Sequence, residues 1–374
     1  MATGSQADQA AIDRRFMAAA IRFSNRNSGL TSTNPSVAML IVRDTAGGPV
    51  IVGRGVTARG GRPHAETEAL VEAGQLARGA TAYVTLEPCA HHGRTPPCAN
   101  ALVSAGVSRV VGSASDPDSR VAGKGYAILR EAGIEVVERV LAEEAAMVMA
   151  SHLMRSTQKR PEVTLKLAIS QDGMIGKSGE GQIAITGEVS RRQVHMMRAV
   201  SDAILIGVGT AIADDPELTV RLPGLAGRSP ERIVLDPSAR LPLDSRLVQT
   251  SKTTPVFVAV CEDANPERKE SLARAGINFL AAETFSGRIA LPELMEDLAA
   301  RGTSTVLVEG GAATASHFLE EGLVDRIVVF RGAIVIGDGG VAAPIDEMHM
   351  PSGFRLLREV RYGDDHVSEW SRSG

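Results

Sequence analysis

The amino-acid sequence predicts a two-domain α/β protein, and three observations carry that expectation. The chain has 374 residues, more than one hydrophobic core usually organises. Strand-like and helix-like runs alternate along most of it. One polar stretch ending in proline, Gln158-Lys159-Arg160-Pro161, interrupts the alternation and disfavours helix before the proline. Apolar residues make up 44% and charged residues 22%, so the chain can bury a sizeable core and disorder is excluded as its main character.

The elements follow in order. Ile12, Phe16, Ala19 and Phe23 recur at helical spacing, with Gly29 beyond as a stop, and predict an amphipathic first helix. The apolar run Val37–Val42 reads as a buried strand, Gly47-Gly48 as a turn and Val50–Val52 as the returning arm of a hairpin. A loop over Arg59–Pro63 leads into a helix over His64–Ala73 and a strand over Ala82–Leu86. A helix near Ala99–Ala105, a strand Arg109–Gly112, a helix Gly125–Ala132 and a strand Ile134–Val137 come next. Residues 141–156 read as one helix, and the boundary is placed after it, giving domains over 1–157 and 158–374. The second domain is expected to have strands at Val163–Leu167, Ala203–Ile206, Ile233–Leu235, Val256–Val260, Thr305–Val308 and Ile327–Val329. Helical patterns fall near 190–200, 266–275, 291–301 and 314–321, and Phe354–Arg361 with His366–Trp370 predict a closing hairpin. No internal repeat or low-complexity tract is present.

Charge and composition narrow the function. A formal net charge of −4, with one Trp and three Tyr, supplies neither the positive field nor the stacking surface a polyanion needs, so no nucleic-acid partner is expected. Three cysteines are too few for a disulfide scaffold and point to a reducing compartment. The opening MATGSQADQA lacks the basic and apolar regions of a signal peptide, and no apolar run approaches the ~20 residues of a membrane span. A cytoplasmic protein with no membrane contact is the expectation.

One constellation carries chemistry. His64-Ala65-Glu66 is followed by Glu87-Pro88-Cys89 and then by Cys98. One imidazole and two thiolates suit Zn²⁺, and three protein ligands leave the fourth tetrahedral position to water, as in a catalytic site. Water so bound ionises near neutral pH. Glu66, two residues past His64 at a helix start, is placed to move protons between that water, a ring nitrogen and a departing amine. Taken singly, His64 is explained by ordinary helix-start hydrogen bonding and Cys89 by burial as a small hydrophobe. Together and in this order they match the H-x-E and P-C pattern of zinc deaminases, with a longer gap between the cysteines.

That gap holds a resemblance. Residues 79–98, GATAYVTLEPCAHHGRTPPC, with Asn34-Pro35 upstream and Asp116-Pro117 downstream, closely resemble the riboflavin-pathway deaminases. The resemblance implies a cytidine-deaminase-like three-layer α/β/α domain. It also implies the substrate 2,5-diamino-6-ribosylamino-4(3H)-pyrimidinone 5′-phosphate, contacted by Asn34, His91, Arg94, Asp116 and Asp118. Thr57 stands where the family often has histidine, Ala38-Met39 where it often has Gly-Cys, and Asp118 where asparagine is common.

The second half shows no metal-ligand spacing. It has glycine turns after strands, at Gly207-Val208-Gly209-Thr210 and Glu309-Gly310-Gly311, which bring backbone N–H groups near phosphates or simply make tight strand-to-helix turns. Neither is the G-x-G-x-x-G of a Rossmann site. Lys166–Gly173, Ile185-Thr186-Gly187, Arg198-Ala199 with Ser201–Leu205, Asp214-Asp215-Pro216 with Leu218–Arg221, and Val308–Gly311 resemble, in order, the reductase domain of the same bifunctional riboflavin-biosynthesis family. That resemblance implies a dihydrofolate-reductase-like α/β fold and reduction of the ribosyl group of 5-amino-6-(5-phosphoribosylamino)uracil by NADPH. By position it implies Lys166, Arg198, Leu218, Arg221 and Glu309 as substrate contacts, and Thr210, Asp214 and Gly311 as cofactor contacts. Departures at Gly181, Ala184 and Pro237 remove a family serine, a cofactor-packing tryptophan and a second serine. The competing reading is therefore an active deaminase joined to a reductase-like domain that no longer binds NADPH. A nucleic-acid-editing deaminase is disfavoured by charge and by the cysteine spacing, and a homo-oligomer such as a dimer is left open.

Overall fold

The computed structural model describes residues 2–90, 96–117, 122–285, 287–345 and 350–373. The chain divides into two compact units, Met1–Lys159 and Arg160–Gly374. In the first unit the elements are α1 (Ala2–Ser24), β1 (Ala38–Thr45), β2 (Gly48–Val56), α2 (Ala65–Ala73), β3 (Thr81–Leu86), α3 (Cys98–Ala105), β4 (Arg109–Ala114), α4 (Lys124–Glu131), β5 (Glu135–Val137), α5 (Ala142–Val148) and α6 (Ala150–Gln158). They build one five-stranded sheet in the order β2-β1-β3-β4-β5. β1 runs antiparallel to both its neighbours, and β3, β4 and β5 run parallel. Helices cover the sheet to make the α/β/α sandwich, which is why the β1 run from Ala38 to Val42 is buried throughout instead of alternating.

The expected hairpin forms, but its turn lies one residue earlier than Gly47-Gly48: Thr45 pairs with Gly48, leaving Ala46-Gly47 as a two-residue loop. β2 then shows why it carries glycines. A Cβ on Gly55 would lie 2.0 Å from the Ala65 carbonyl oxygen and one on Gly53 2.4 Å from that of Ala69, so α2 rests directly on the strand backbone. α1 is fastened to the sheet by Asp13, which accepts two hydrogen bonds from Arg109 at 2.8 Å each and one from the Tyr83 hydroxyl at 2.9 Å. The helix expected over 141–156 is two helices meeting at Met149, whose φ of −106° and ψ of 17° are not helical. Met149 itself is buried in the core beside Ala145.

The second unit comprises β6 (Glu162–Ile169), β7 (Met174–Lys177), α7 (Glu188–Val200), β8 (Ala203–Gly207), α8 (Val208–Asp214), β9 (Glu231–Leu235), α9 (Arg246–Gln249), β10 (Val256–Val260), α10 (Pro266–Arg274) and β11 (Asn278–Ala281). These are followed by β12 (Thr284–Phe285), β13 (Arg288–Ile289), α11 (Leu291–Ala300), β14 (Thr305–Val308), α12 (Ala312–Glu320), β15 (Arg326–Arg331), β16 (Gly340–Ala342), β17 (Phe354–Tyr362) and β18 (Asp365–Arg372). Nine strands form one sheet in the order β11-β10-β9-β8-β14-β6-β15-β18-β17. It is parallel from β11 to β15 and ends in the antiparallel β17–β18 hairpin. Arg160, at the start of the unit, forms a bidentate pair with Asp325 at 2.6 and 2.7 Å. Among the described residues no helix is long and apolar enough to cross a membrane.

The periodicity did not predict β7, β11 or β16. β7 and β16 are short and pair with each other apart from the main sheet, and β11 is an edge strand of four residues, too brief for alternation to register.

Candidate active sites

Three separate elements bring the first site together. His64 is the N-cap of α2, extended at φ −72° and ψ 159°, so the helix begins one residue later than the sequence predicts. Cys89 follows the end of β3, and Cys98 is the first residue of α3, with Pro97 as its N-cap. The Cys98 Sγ lies 3.4 Å and the Cys89 Sγ 3.9 Å from His64 Nδ1, and the three ligand atoms all lie within 4.8 Å of one another. A tetrahedral ion with ordinary Zn–S and Zn–N bonds separates such atoms by about 3.6 Å, so the donor set fits zinc in chemistry and spacing.

The electrostatics agree with that use. Hydrogen bonds from Cys98 and then His64, including the Cys98 backbone N–H at 3.3 Å, hold the Cys89 thiol down at about 4, so it is a thiolate. Cys98 is pushed up by its bond to Cys89 and by burial. Glu66 is 4% exposed, in the first turn of α2, and burial raises its pKa above the ordinary carboxylate value, which favours its proton-carrying form.

Glu87 is a residue whose role the sequence motif did not reveal. It is buried, and its two oxygens accept from the Gly123 and Gly125 backbone N–H groups at 3.0 Å each. A Cβ on Gly125 would stand 2.0 Å from the Pro88 carbonyl oxygen. Glu87 thus pins the segment carrying Cys89 to the start of α4, a long-range contact with no local signature.

A cavity of ≈ 270 Å³ opens beside the zinc set. Asn34 and Asp116, expected as substrate contacts, line it together with His64, Glu66, Cys89, Arg62 and, from α6, His152, Arg155 and Ser156. Asn34 is oriented by its Nδ2 donating to the Gly61 carbonyl at 3.2 Å. Gly61 has φ +86° and a Cβ there would lie 2.3 Å from that same nitrogen, so both conformation and space demand glycine. Thr57 also lines the cavity, but its hydroxyl accepts from the Val37 N–H at 3.0 Å. His91, Arg94 and Asp118, the other expected contacts, lie outside the described residues.

In the second unit a cavity of ≈ 400 Å³ is lined by Lys166, Thr210, Asp214, Glu309 and Gly311 of the expected residues, drawn from β6, α8 and the turn between β14 and α12. Arg198 on α7 grips Glu309 through two hydrogen bonds of 2.7 and 2.8 Å, and both side chains are nearly buried. Burial alone would raise the Glu309 carboxyl, but Arg198 holds it below its ordinary value. Lys166 is half-buried in the cavity wall with its Nζ 5.7 Å from the centre of the Phe330 ring, and desolvation lowers its pKa. The Thr210 hydroxyl accepts from the Gly311 N–H at 3.0 Å, tying the two glycine turns together. Those turns need glycine for packing as well: a Cβ on Gly207 would meet the Thr314 hydroxyl at 2.4 Å, and one on Gly310 the Thr314 Cβ at 2.6 Å. Leu218 is buried in the core around β9, and Arg221 is a half-exposed partner of Glu217; neither is among the lining residues. Gly181 does line the cavity, whereas Ala184 is exposed and Pro237 stands elsewhere.

Known proteins resemble the chain over both units. Residues 10–114 match the model of the cytidine and deoxycytidylate deaminase zinc-binding region, and residues 161–368 match that of the RibD C-terminal domain. The riboflavin biosynthesis protein RibD of Escherichia coli (strain K12) is 40% identical over 337 residues, 87% of this chain and 89% of that protein. The RibD of Aquifex aeolicus is 38% identical over 328 residues, 88% of this chain and 89% of its own length. Among solved structures, a form of Acinetobacter baumannii RibD superposes with a TM-score of 0.85 at 36% identity, covering 98% of this chain and all of the other. A Thermotoga maritima diaminohydroxyphosphoribosylaminopyrimidine deaminase/5-amino-6-(5-phosphoribosylamino)uracil reductase superposes with a TM-score of 0.84 at 30% identity, covering 97% and 99%.

Proposed function

The chain belongs to the RibD family of bifunctional riboflavin-biosynthesis proteins, and from that premise we propose how its residues divide the chemistry. It is a deaminase and a reductase in one chain, with zinc in the first half and NADPH in the second, acting on small molecules of riboflavin biosynthesis. The proposal assigns hydrolytic deamination of 2,5-diamino-6-ribosylamino-4(3H)-pyrimidinone 5′-phosphate to residues 1–157. Reduction of 5-amino-6-(5-phosphoribosylamino)uracil is assigned to residues 158–374. A cytoplasmic location accords with three free thiols.

The observation that carries the first half is the convergence of His64, Cys89 and Cys98 around a space that fits a tetrahedral ion, with buried Glu66 at its edge. The ion supplies a water acidic enough to ionise near neutral pH. Glu66 would carry the first proton of that water to the ring nitrogen as the C–O bond forms, and then the proton left on the added hydroxyl to the amine, which departs as ammonia as the C–N bond breaks; a carboxyl raised by burial suits both transfers. Asn34, held by Gly61, and Asp116 hold the pyrimidine ribosyl phosphate against it, and the same role is assigned to His91, Arg94 and Asp118.

In the second half, NADPH supplies the hydride. Thr210, Asp214 and Gly311 are assigned to the cofactor; Lys166, Arg198 and Glu309 to the sugar phosphate, with Leu218 and Arg221 as further substrate contacts. Opening the ribosyl ring leaves its former ring oxygen in need of a proton, and Lys166, half-buried and lowered by desolvation, is the donor assigned in this cavity. Arg198 keeps Glu309 ionised, so that a fixed negative charge faces Lys166 across the cavity.

The test is direct. The purified protein is incubated with the pyrimidine phosphate, first alone and then with NADPH, and products are identified by mass; ammonia release followed by NADPH oxidation is the expected sequence. Deamination without NADPH oxidation, together with no NADPH binding by titration, would refute the assignment of the second half.

A further inference from the structure

The wall of the first cavity made by α6 has no part in the zinc chemistry, and its side chains are polar. His152, Arg155 and Ser156 stand three and four residues apart, on one face of the helix, and all three line the cavity. Neither ring nitrogen of His152 has a hydrogen-bond partner among the described residues, although both are shut away from solvent. The Asp116 Oδ1 lies 3.8 Å from His152 Nε2, too far for a hydrogen bond. Burying an imidazole without a partner is unfavourable, so the arrangement is best explained by a partner that arrives with the ligand.

We propose that His152 is a substrate-binding residue of the deamination site and that it hydrogen-bonds the ribosyl phosphate arm of the nucleotide. This rests on the reading of the first site given above. The carbon losing its amine must sit at the zinc ligands, which come from α2, the end of β3 and the start of α3. α6 is a different wall, so its groups meet the rest of the substrate, and an imidazole, a guanidinium and a hydroxyl are the groups that recognise phosphate and sugar oxygens. Arg155 ties this wall to the loop of Asn34 by donating from Nη2 to the Thr33 carbonyl. On the β2 side of the cavity the Thr57 hydroxyl is already engaged by Val37.

The experiment measures deamination by the full-length protein, with zinc content and reduction of supplied deaminated substrate as controls. His152→Ala is expected to raise KM at least about tenfold, as loss of a good hydrogen bond to a charged group does, with kcat within about threefold and both controls unchanged. His152→Asn, which keeps a donor near the position of Nδ1, should recover most of the loss. Ribose 5-phosphate, which lacks the pyrimidine, should compete with substrate, and its Ki should rise with KM in His152→Ala. A KM within about twofold of parental in His152→Ala overturns the proposal, as does a fall in kcat alone, which would mark proton transfer instead. An unchanged Ki beside a raised KM, or no competition by ribose 5-phosphate in the parental protein, would overturn the assignment to the sugar phosphate arm. If His152→Ala misfolds, His152→Leu, which fills the space without a hydrogen-bonding group, decides by the same criteria. A parental protein that binds zinc but does not deaminate would instead refute the reading of the whole site.

Discussion

Replacing Glu66 by Gln removes a proton carrier while keeping its shape, and its consequences can be worked from the structure. The side chain is 4% exposed and is not one of the three ligand residues, so zinc content should stay at parental level. The amide fills the same volume in the first turn of α2, so the fold should hold to within roughly 1 kcal/mol, the usual scale for a volume-conserving change. What disappears is general acid–base catalysis, which contributes about 10²–10⁴ in rate, equal to about 2.7–5.4 kcal/mol of transition-state stabilisation at 1.36 kcal/mol per tenfold. The assay is ammonia release under saturating substrate, with zinc by metal analysis and NADPH oxidation on supplied deaminated substrate in parallel. Deamination should fall at least about 10²-fold while reduction stays within a few-fold of parental. Near-parental deamination in zinc-loaded protein would refute the role of Glu66, and simultaneous loss of reduction in folded protein would refute the separation of the two activities along the chain.

Other outcomes follow from the same contacts. Cys261→Ser should retain full zinc, because Cys261 is buried in the second unit and outside the ligand cluster, whereas Cys98→Ser should lose it; metal analysis of the two variants settles both. Arg198→Ala leaves Glu309 buried beside Lys166 without its partner, so thermal unfolding of the second unit should show a loss of about 3–5 kcal/mol, and reduction should disappear while deamination persists. Glu162 is pushed up to about 7 by burial, chiefly against Arg326, so its folded form keeps the proton longer than the unfolded chain. Its contribution to stability is therefore full below about 4.5 and is lost as pH rises through about 7, and Glu162→Gln should flatten a urea-unfolding profile over that window; an unchanged slope would show that Glu162 ionises normally.

Much of this protein could be read from residue order alone, and the reason is local. β1 announces itself as a run of five buried apolar residues, the β1–β2 hairpin by its glycine turn, and β17–β18 by two β-rich runs around Gly363. His64, Glu66, Cys89 and Cys98 were visible because metal chemistry restricts residue type and order, and both depend little on the rest of the fold. The domain resemblance rested likewise on short stretches with fixed sequence.

Other features were decided only by packing between distant segments. The single helix expected over 141–156 breaks because Met149 is drawn into the core, which turns His152 and Arg155 toward the cavity; helical periodicity cannot register a bend imposed from outside. Glu87 binds the start of α4 across 36 and 38 residues of sequence, and Gly55 and Gly125 are glycines because a helix and a loop lie against them. Leu218 and Arg221, adjacent in sequence to residues with clear roles, stand away from the cavity lining because the strand-to-strand connection carrying them turns into the core and then to solvent. Residue type and order therefore determined which chemistry the chain carries. Tertiary contacts decided which side chains surround that chemistry, because burial and hydrogen-bond partnership depend on segments that sequence proximity does not connect.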